Sequence, residues 1–245
     1  MRKLLIGSLL LAGGQALLTP QSYADDSLSF TFSPPPITRP GEQVNKFGFN
    51  FTSLEFESTD TNGYATTTEF SLVGLNMLTK NHGGFFGMSL VTGSDDQDIT
   101  SVTALNFNGG GEMKNDNGFA MSMGIGFNMI FVTVDMSDAD NYFYSETSMG
   151  TLQFDLALQQ RIALGDNFGI TPYVSMSYMM LGSGTSTTTV IVMGNSYEST
   201  TDVELDPYIS TQVGLDMDIG GMSLAAMVQE SDSTSMTSIN IGFEF

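Results

Sequence analysis

The last residues of the chain alternate between apolar and polar side chains up to an aromatic terminus. One face of an extended strand would carry Ile239, Ile241, Phe243 and Phe245, and the opposite face Ser238, Asn240, Gly242 and Glu244. Because successive side chains of a strand point to opposite faces, this period of two predicts an amphipathic β-strand. A chain built of such strands has to cover an apolar face on each of them.

The same alternation recurs from residue 44 onward and predicts an all-β fold. Ten strands are predicted, at about 44–57, 67–78, 84–93, 99–112, 118–134, 147–164, 168–182, 201–219, 221–229 and 236–245. In the fifth strand the apolar face carries Phe119, Met121, Met123, Ile125, Phe127, Met129 and Phe131. In the sixth it carries Leu152, Phe154, Leu156 and Leu158. In the eighth, Val203, Leu205, Ile209, Val213 and Leu215 oppose Glu204, Asp206, Asp216 and Asp218. The second strand, which includes Phe70-Ser-Leu-Val-Gly-Leu75, is apolar on both faces.

The connections alternate in length. Short turns with Asn, Asp or Gly lie near 79–83, 113–117, 165–167 and 220, and Gly, Asn and Asp tolerate the positive φ of tight turns. Longer polar links lie at 58–66, 94–98, 135–146, 183–200 and 230–235. Ten strands would place both chain ends on the short-turn side.

The N-terminus has the pattern of a secretory signal peptide. Met1-Arg2-Lys3 is basic, residues 4–18 are mostly apolar, and Ser22-Tyr-Ala24 fits a small-x-small cleavage site. We therefore expect residues 1–24 to be removed and Asp25 to begin the mature chain. Residues 25–43 contain Pro34-Pro-Pro36 and Pro40-Gly41, which break a strand. They are predicted to be a periplasmic tail, with a plug folded into the strand region as the alternative.

Composition excludes some classes of partner and site. Five basic and 27 acidic residues follow residue 24, which gives that part of the chain a net charge of −22. Such a charge argues against nucleic acid as a partner, because phosphates require a basic surface. The absence of Cys excludes disulfides and thiolate metal sites. With 18 Phe and 8 Tyr, the chain has the aromatic content of a folded protein.

The amphipathic final strand with its terminal Phe, the export signal and the alternating strands together resemble the small bacterial outer-membrane β-barrel proteins. The resemblance implies a transmembrane antiparallel up-and-down β-barrel over 44–245, with ten strands predicted, eight or twelve as alternatives, and a strand tilt of ~40°. A soluble β-sandwich is the competing fold. The resemblance also implies location in the outer membrane, contact with its lipids and lipopolysaccharide, and recognition of Phe243 and Phe245 by the barrel assembly machinery.

The polar faces place charged residues in the predicted lumen. The carboxylates are Asp155, Glu204, Asp206, Asp216, Asp218 and Glu244, and Arg161 is the one confident cation among them. Charges inside a membrane barrel have to be paired or hydrated. One interpretation is an internal network that fills and braces the barrel, and the other is a narrow channel that selects cations.

Two acidic clusters lie in the predicted loops. Asp95, Asp96 and Asp98 form the first, and Asp135, Asp138, Asp140 and Glu146 form the second. Closely spaced carboxylates can bind divalent cations such as Ca²⁺, but neither cluster has the spacing of a full calcium loop, so a solvated loop is the favoured interpretation.

The sequence predicts neither an enzyme nor a cofactor site. His82, the single histidine, falls in a predicted periplasmic turn, away from a cleft that could hold a nucleophile beside it. The predicted function is therefore a structural or surface-interaction role through acidic extracellular loops. The alternative is a narrow cation-preferring pore or passive transporter for small solutes.

Overall fold

β-Strands account for most of the described chain. The computed structural model describes residues 43–59, 65–137, 141–165, 167–192, 195–231 and 234–245. The strands are β1 (Val44–Thr59), β2 (Ala65–Asn81), β3 (Gly84–Asp95), β4 (Thr100–Lys114), β5 (Phe119–Ser137), β6 (Asn141–Gln160), β7 (Ile162–Ala163), β8 (Phe168–Val192), β9 (Asn195–Leu205), β10 (Ile209–Ile219), β11 (Met222–Glu230) and β12 (Thr234–Glu244). None of the described segments is a helix long and apolar enough to cross a bilayer.

The strands form one antiparallel sheet that closes on itself. β12 returns to pair with β1, where Phe243 lies opposite Phe47. β7 continues β6 along β8, while β9 and β10 pair with successive parts of β8 and together act as one wall strand. The result is a closed ten-stranded barrel. The predicted up-and-down barrel and its strand count are confirmed, and the two-sheet sandwich is not what the chain forms.

The two ends of the barrel differ in their connections. One end holds the short turns, for example between Asn81 and Gly84, together with Val44 and Phe245. We call it the terminal end and the opposite one the loop end. In the predicted orientation the terminal end faces the periplasm.

The outer surface of the barrel is an apolar band. In β5, Ile125 is 57% exposed, whereas its neighbours Gly124 and Gly126 face inward. The band also includes Phe49, Phe51, Val73, Leu75, Leu90, Phe127, Phe154, Leu158, Val174, Met176, Val213, Val228, Ile239 and Phe243. A closed ladder satisfies the backbone polar groups between strands, so such a surface can face lipid without unpaired N–H groups. The predicted faces of the fifth and sixth strands are those observed.

Strands β6, β8 and β9 reach farther than the sequence predicts. The predicted loops 135–146 and 183–200 are largely strand, since β6 begins at Asn141 and β8 continues to Val192 before β9. Residues 141–146 contain Tyr142, Phe143 and Tyr144, and residues 183–192 are rich in Thr and Val, all of which fit extended backbone when a partner strand is present. The polarity of these segments predicted loops, because the strand that pairs with a segment cannot be identified from that segment alone.

The faces of β9 are the reverse of those predicted. Leu205 is buried and Val203 packs against the same interior cluster, whereas Glu204 and Asp206 are exposed. The cause is the break between β9 and β10 at residues 206–208, which contains Pro207. Proline cannot donate to the ladder, and the break lets the alternation change face before Ile209.

The predicted signal peptide, residues 1–24, lies outside the described residues. The same holds for the predicted tail or plug over 25–43, apart from Gln43.

Candidate functional site

The lumen is filled by three layers of inward-facing side chains. Charged residues occupy the terminal end, amides and hydroxyls the middle, and apolar residues the loop end. The layers follow from strand alternation, because each strand contributes one inward side chain every two residues. Small barrels are filled by side chains in this way.

The charged layer links strands that are not neighbours. Lys46 Nζ of β1 lies 3.6 Å from Asp216 Oδ2, 3.5 Å from Asp218 Oδ1 and 3.5 Å from Glu244 Oε1. Arg161, between β6 and β7, forms an ion pair with Asp218 from the other side. Two cations therefore hold three carboxylates together across β1, β10, β12 and the end of β6.

A second ion pair is more completely buried. Lys80 of β2 pairs with Glu112 of β4, and both side chains are 1% exposed. Gln159 of β6 donates to the second carboxylate oxygen of Glu112 at 3.0 Å. Beside this pair a cavity of about 10 Å³ is lined by Lys114, Arg161 and Thr171, room for about one water molecule. Charges out of bulk solvent require such partners.

Amides and hydroxyls connect adjacent strands in the middle layer. Asn50 Oδ1 of β1 accepts from Asn76 of β2 at 2.7 Å and also from Asn240 of β12. On the opposite wall, Asn128 of β5 donates to Gln153 of β6 at 2.7 Å and accepts from Asn106 of β4. Gln153 donates in turn to Asp155 at 2.9 Å, Ser177 donates to Asp155 at 2.6 Å, and Ser175 donates to Gln212 at 2.6 Å.

Apolar side chains close the lumen toward the loop end. Leu54 and Val91 are 0% exposed, Ile130 and Met236 are 1% exposed, and Met179 is 2% exposed. The other buried members are Phe56, Phe70, Leu72, Val102, Ala104, Met149 and Leu205, and the same cluster continues toward the middle of the lumen through Tyr173 and Met227. This layer explains why β2 is apolar on both faces: Phe70 and Leu72 face the lumen, while Val73 and Leu75 face outward.

Glycines on the lumen face make room for large side chains from neighbouring strands. A Cβ on Gly214 would lie 2.3 Å from the ring of Tyr173, and one on Gly126 would lie 2.8 Å from Gln153 Cγ. Both distances are shorter than van der Waals contact. The closely packed interior therefore depends on small residues as well as on large ones.

Five of the seven predicted lumen residues face the interior, four of them in the charged layer and Asp155 in the middle layer. Asp155, Arg161, Asp216, Asp218 and Glu244 face the interior, whereas Glu204 and Asp206 lie on the exposed side of the loop-end extension. Sequence reasoning missed Lys46, Lys80 and Glu112. Part of their signal was present, because Lys46 stands on the polar face of β1 and Glu112 shares its face with Asn106 and Asn108. Lys80 lies at the end of β2, which is apolar on both faces.

The acids of the β3–β4 connection order the turn. Asp95 Oδ1 accepts from the backbone N–H groups of Ile99 at 2.9 Å and Thr100 at 3.2 Å, and Ser94 donates to Asp98 Oδ1 at 2.6 Å. Asp96 is exposed. The described residues contain no group of three or more His, Cys, Asp or Glu that could hold a metal ion. The predicted members Asp138 and Asp140 lie outside the described residues.

His82 and the terminal aromatics lie at the terminal end. His82 and Gly83 have φ of 49° and 87° and form the two-residue turn between β2 and β3, where positive φ at both positions matches a type I′ turn. Phe243 is 45% exposed on the outer band, and Phe245 is 78% exposed with its N–H donating to Asn45 O at 3.1 Å.

Comparisons with known proteins agree at the level of fold. No family model matches the chain, and no curated protein sequence matches it. The outer membrane protease OmpT from Escherichia coli is similar with a TM-score of 0.52 at 8% identity, covering 87% of this chain and 100% of that one. The translocator domain of the autotransporter NalP from Neisseria meningitidis gives a TM-score of 0.45 at 10% identity, with 98% of each chain covered. Neisserial surface protein A gives 0.38 at 7% identity, with 81% of this chain and 97% of that one covered.

At these identities the similarity concerns architecture and not activity. The closed barrel, the apolar outer band and the similarity to the OmpT structure lead to one conclusion about the fold. The chain has the fold of the bacterial outer-membrane β-barrel proteins.

Proposed function

We propose that this protein is a non-conducting outer-membrane barrel that acts through the acidic surface at its loop end. The observation that carries the proposal is the apolar layer across the lumen. Leu54 and Met236 lie opposite each other on the paired strands β1 and β12, Ile130 comes from β5 across the barrel, and all three are almost fully buried. An ion crossing this layer would have to lose its hydration without compensating polar groups.

Charged residues of the described chain are distributed unequally between the two ends of the barrel. The basic residues of the described chain, Lys46, Lys80, Lys114 and Arg161, all lie at the terminal end. At the loop end the charged residues of the described chain are acidic, and the exposed ones are Glu55, Glu69, Asp96, Asp98, Asp135, Glu146, Glu198, Asp202, Glu204, Asp206 and Glu230. A surface of one sign attracts cationic groups over distances near the Debye length, about 8–10 Å. Divalent cations between these acids and the phosphates of lipopolysaccharide are part of the proposal.

Conductance in planar bilayers tests the closed lumen. We expect the purified barrel to show no steady ion current. The triple variant Leu54→Ala, Phe70→Ala and Met179→Ala thins the apolar layer and should raise conductance, whereas Val73→Ala on the outer band should not. A steady, cation-selective current through the unmodified barrel would support the pore instead and overturn the proposal.

The terminal Phe is proposed to serve assembly more than stability. Because Phe245 is 78% exposed, its deletion removes little buried surface and one backbone hydrogen bond, and should lower the free energy of unfolding by under ~1.5 kcal/mol. In cells we expect the truncated protein to accumulate in the periplasm or to be degraded, while refolding into detergent stays near normal. Phe245→Tyr is the matched control and should assemble normally. Normal outer-membrane levels of the truncated chain would contradict the assembly role.

A further inference from the structure

Part of the barrel wall rises beyond the rest at the loop end. β6 and β8 pair as far as Asn141 and Val192, and β8 and β9 form eleven further residue pairs from Gly182–Leu205 to Val192–Asn195. On the neighbouring side the wall ends lower, because the β11–β12 hairpin turns after Glu230. At ~3.4 Å per residue, the β8–β9 hairpin extends by about 35 Å along the strands.

β9 is the edge of this projecting sheet. It pairs with β8 on one side, and within the described chain no strand pairs with its other side. In an antiparallel strand every second residue directs its N–H and C=O away from the partner, so about five residues of β9 present unpaired backbone groups outward. Such a row is a template for another strand.

The edge has one of the features that usually prevent pairing, charged side chains, and all three of these are acidic. Asn195–Leu205 has the sequence NSYESTTDVEL, which contains no Pro, Gly, Lys or Arg and no bulge against β8. The C-terminal end of β9 is held against the barrel, since Leu205 is buried and Val203 packs against the apolar layer of the lumen. The strand is therefore ordered, long and open to addition along its edge.

Charge on β9 selects the kind of strand that can be added. Glu198, Asp202 and Glu204 share one face, and the register through β8 places Glu146 on that face as well. The opposite face carries Tyr197, Ser199, Thr201 and Val203. Cross-strand pairs of opposite charge stabilise a sheet and like charges destabilise it. A matching strand thus has cationic side chains at alternate positions on one face, and hydroxyl or apolar side chains on the other.

We propose that β9 is a docking edge for an extended, cationic segment of another protein, which adds to the sheet as a further strand. The proposal rests on the proposed function, because the loop end must be the exposed surface of the barrel. Backbone hydrogen bonds supply affinity and the alternating charges supply selectivity. A second copy of this chain is disfavoured, since pairing two β9 edges would oppose acids to acids. Residues 25–42 of the same chain carry three acids and Arg39 alone as a base, and do not fit either.

The test uses an eleven-residue peptide, Lys-Val-Lys-Thr-Lys-Val-Lys-Thr-Lys-Val-Lys, added to the full-length protein in nanodiscs. We expect saturable binding together with slowed amide hydrogen exchange in Asn195–Leu205. Two control peptides carry the same charge but are N-methylated at every Lys or at every Val and Thr. One of the two sets of alternate residues directs its N–H groups toward β9. N-methylation of that set should weaken binding at least about tenfold, because several hydrogen bonds are lost.

Protein variants separate the edge from general attraction to charge. The triple variant Glu198→Gln, Asp202→Asn and Glu204→Gln should bind the peptide at least about tenfold more weakly. The matched control Glu55→Gln with Glu69→Gln, on the far side of the rim, should bind as the unmodified protein does. If both methylated peptides bind like the parent, or if protection is absent from β9, strand addition is overturned while the acidic surface role stands. Steady conductance would instead overturn the proposed function itself.

Discussion

Replacing Lys80 by Met should lower the free energy of unfolding by about 3–5 kcal/mol, the range for removing one partner of a buried ion pair. The side chains of Lys80 and Glu112 are each 1% exposed, so the carboxylate left behind could not be solvated by bulk water. Gln159 would keep one hydrogen bond to Glu112, but the direct ion pair would be lost. The measurement is a urea titration of the purified barrel in lipid vesicles. Unfolding is monitored by circular dichroism, because the chain contains no Trp.

The control for this prediction also removes the carboxylate charge that would be left unpaired. Lys80→Met combined with Glu112→Gln should recover a large part of the loss, because an amide is less costly to bury than an unpaired carboxylate. Lys114→Met, at the more exposed margin of the same layer, should cost less than ~1 kcal/mol. Equal losses for the Lys80 and Lys114 variants would show that burial of the pair does not set its importance.

Leu156→Arg should destabilise the barrel by about 2–4 kcal/mol, as expected for a cation placed on the lipid face near the bilayer midplane. Leu156 of β6 lies on the outer face between Met123 of β5 and Met176 of β8. The guanidinium would have to reach the interface or draw water into the hydrocarbon. The same titration in vesicles measures the loss.

The adjacent lumen residue provides the matched control. Ala157 is 4% exposed and lies between Ser122 and Ser175 on the inner face, so Ala157→Ser adds a hydroxyl to a polar layer. It should change the free energy of unfolding by less than ~1 kcal/mol. A larger loss for Ala157→Ser than for Leu156→Arg would mean that the two faces are assigned the wrong way round.

Alternation in the sequence was sufficient to predict the barrel and, for most strands, which side chains face outward and which face the lumen. Phe119 to Phe131 and Leu152 to Leu158 point outward as their period of two predicts, because a residue's face depends only on its position along a regular strand. The inward positions of Asp155, Asp216 and Glu244 follow for the same reason. Turn chemistry at His82-Gly83 and Gly220-Gly221 likewise depends on local φ alone.

Tertiary pairing decided what alternation could not. The reversal at β9 depends on the break around Pro207 and on the shift between Leu152 and Gln153 where β6 meets β8, and both are properties of strand pairs. The length of the β8–β9 hairpin was missed because Thr- and Ser-rich strands are recognised by their partners and not by hydrophobicity.

The lumen separates the contribution of the sequence from that of the tertiary structure most clearly. The sequence by itself determined that polar side chains point inward, because that requires only the period of a strand. Which of them meet was decided by closure: Lys46 and Asp218 are far apart in sequence and come within 3.5 Å because β12 pairs with β1. Closure also brought Met179 of β8 into one apolar layer with Leu54 and Phe70 of the β1–β2 hairpin, and so decided that the lumen is filled.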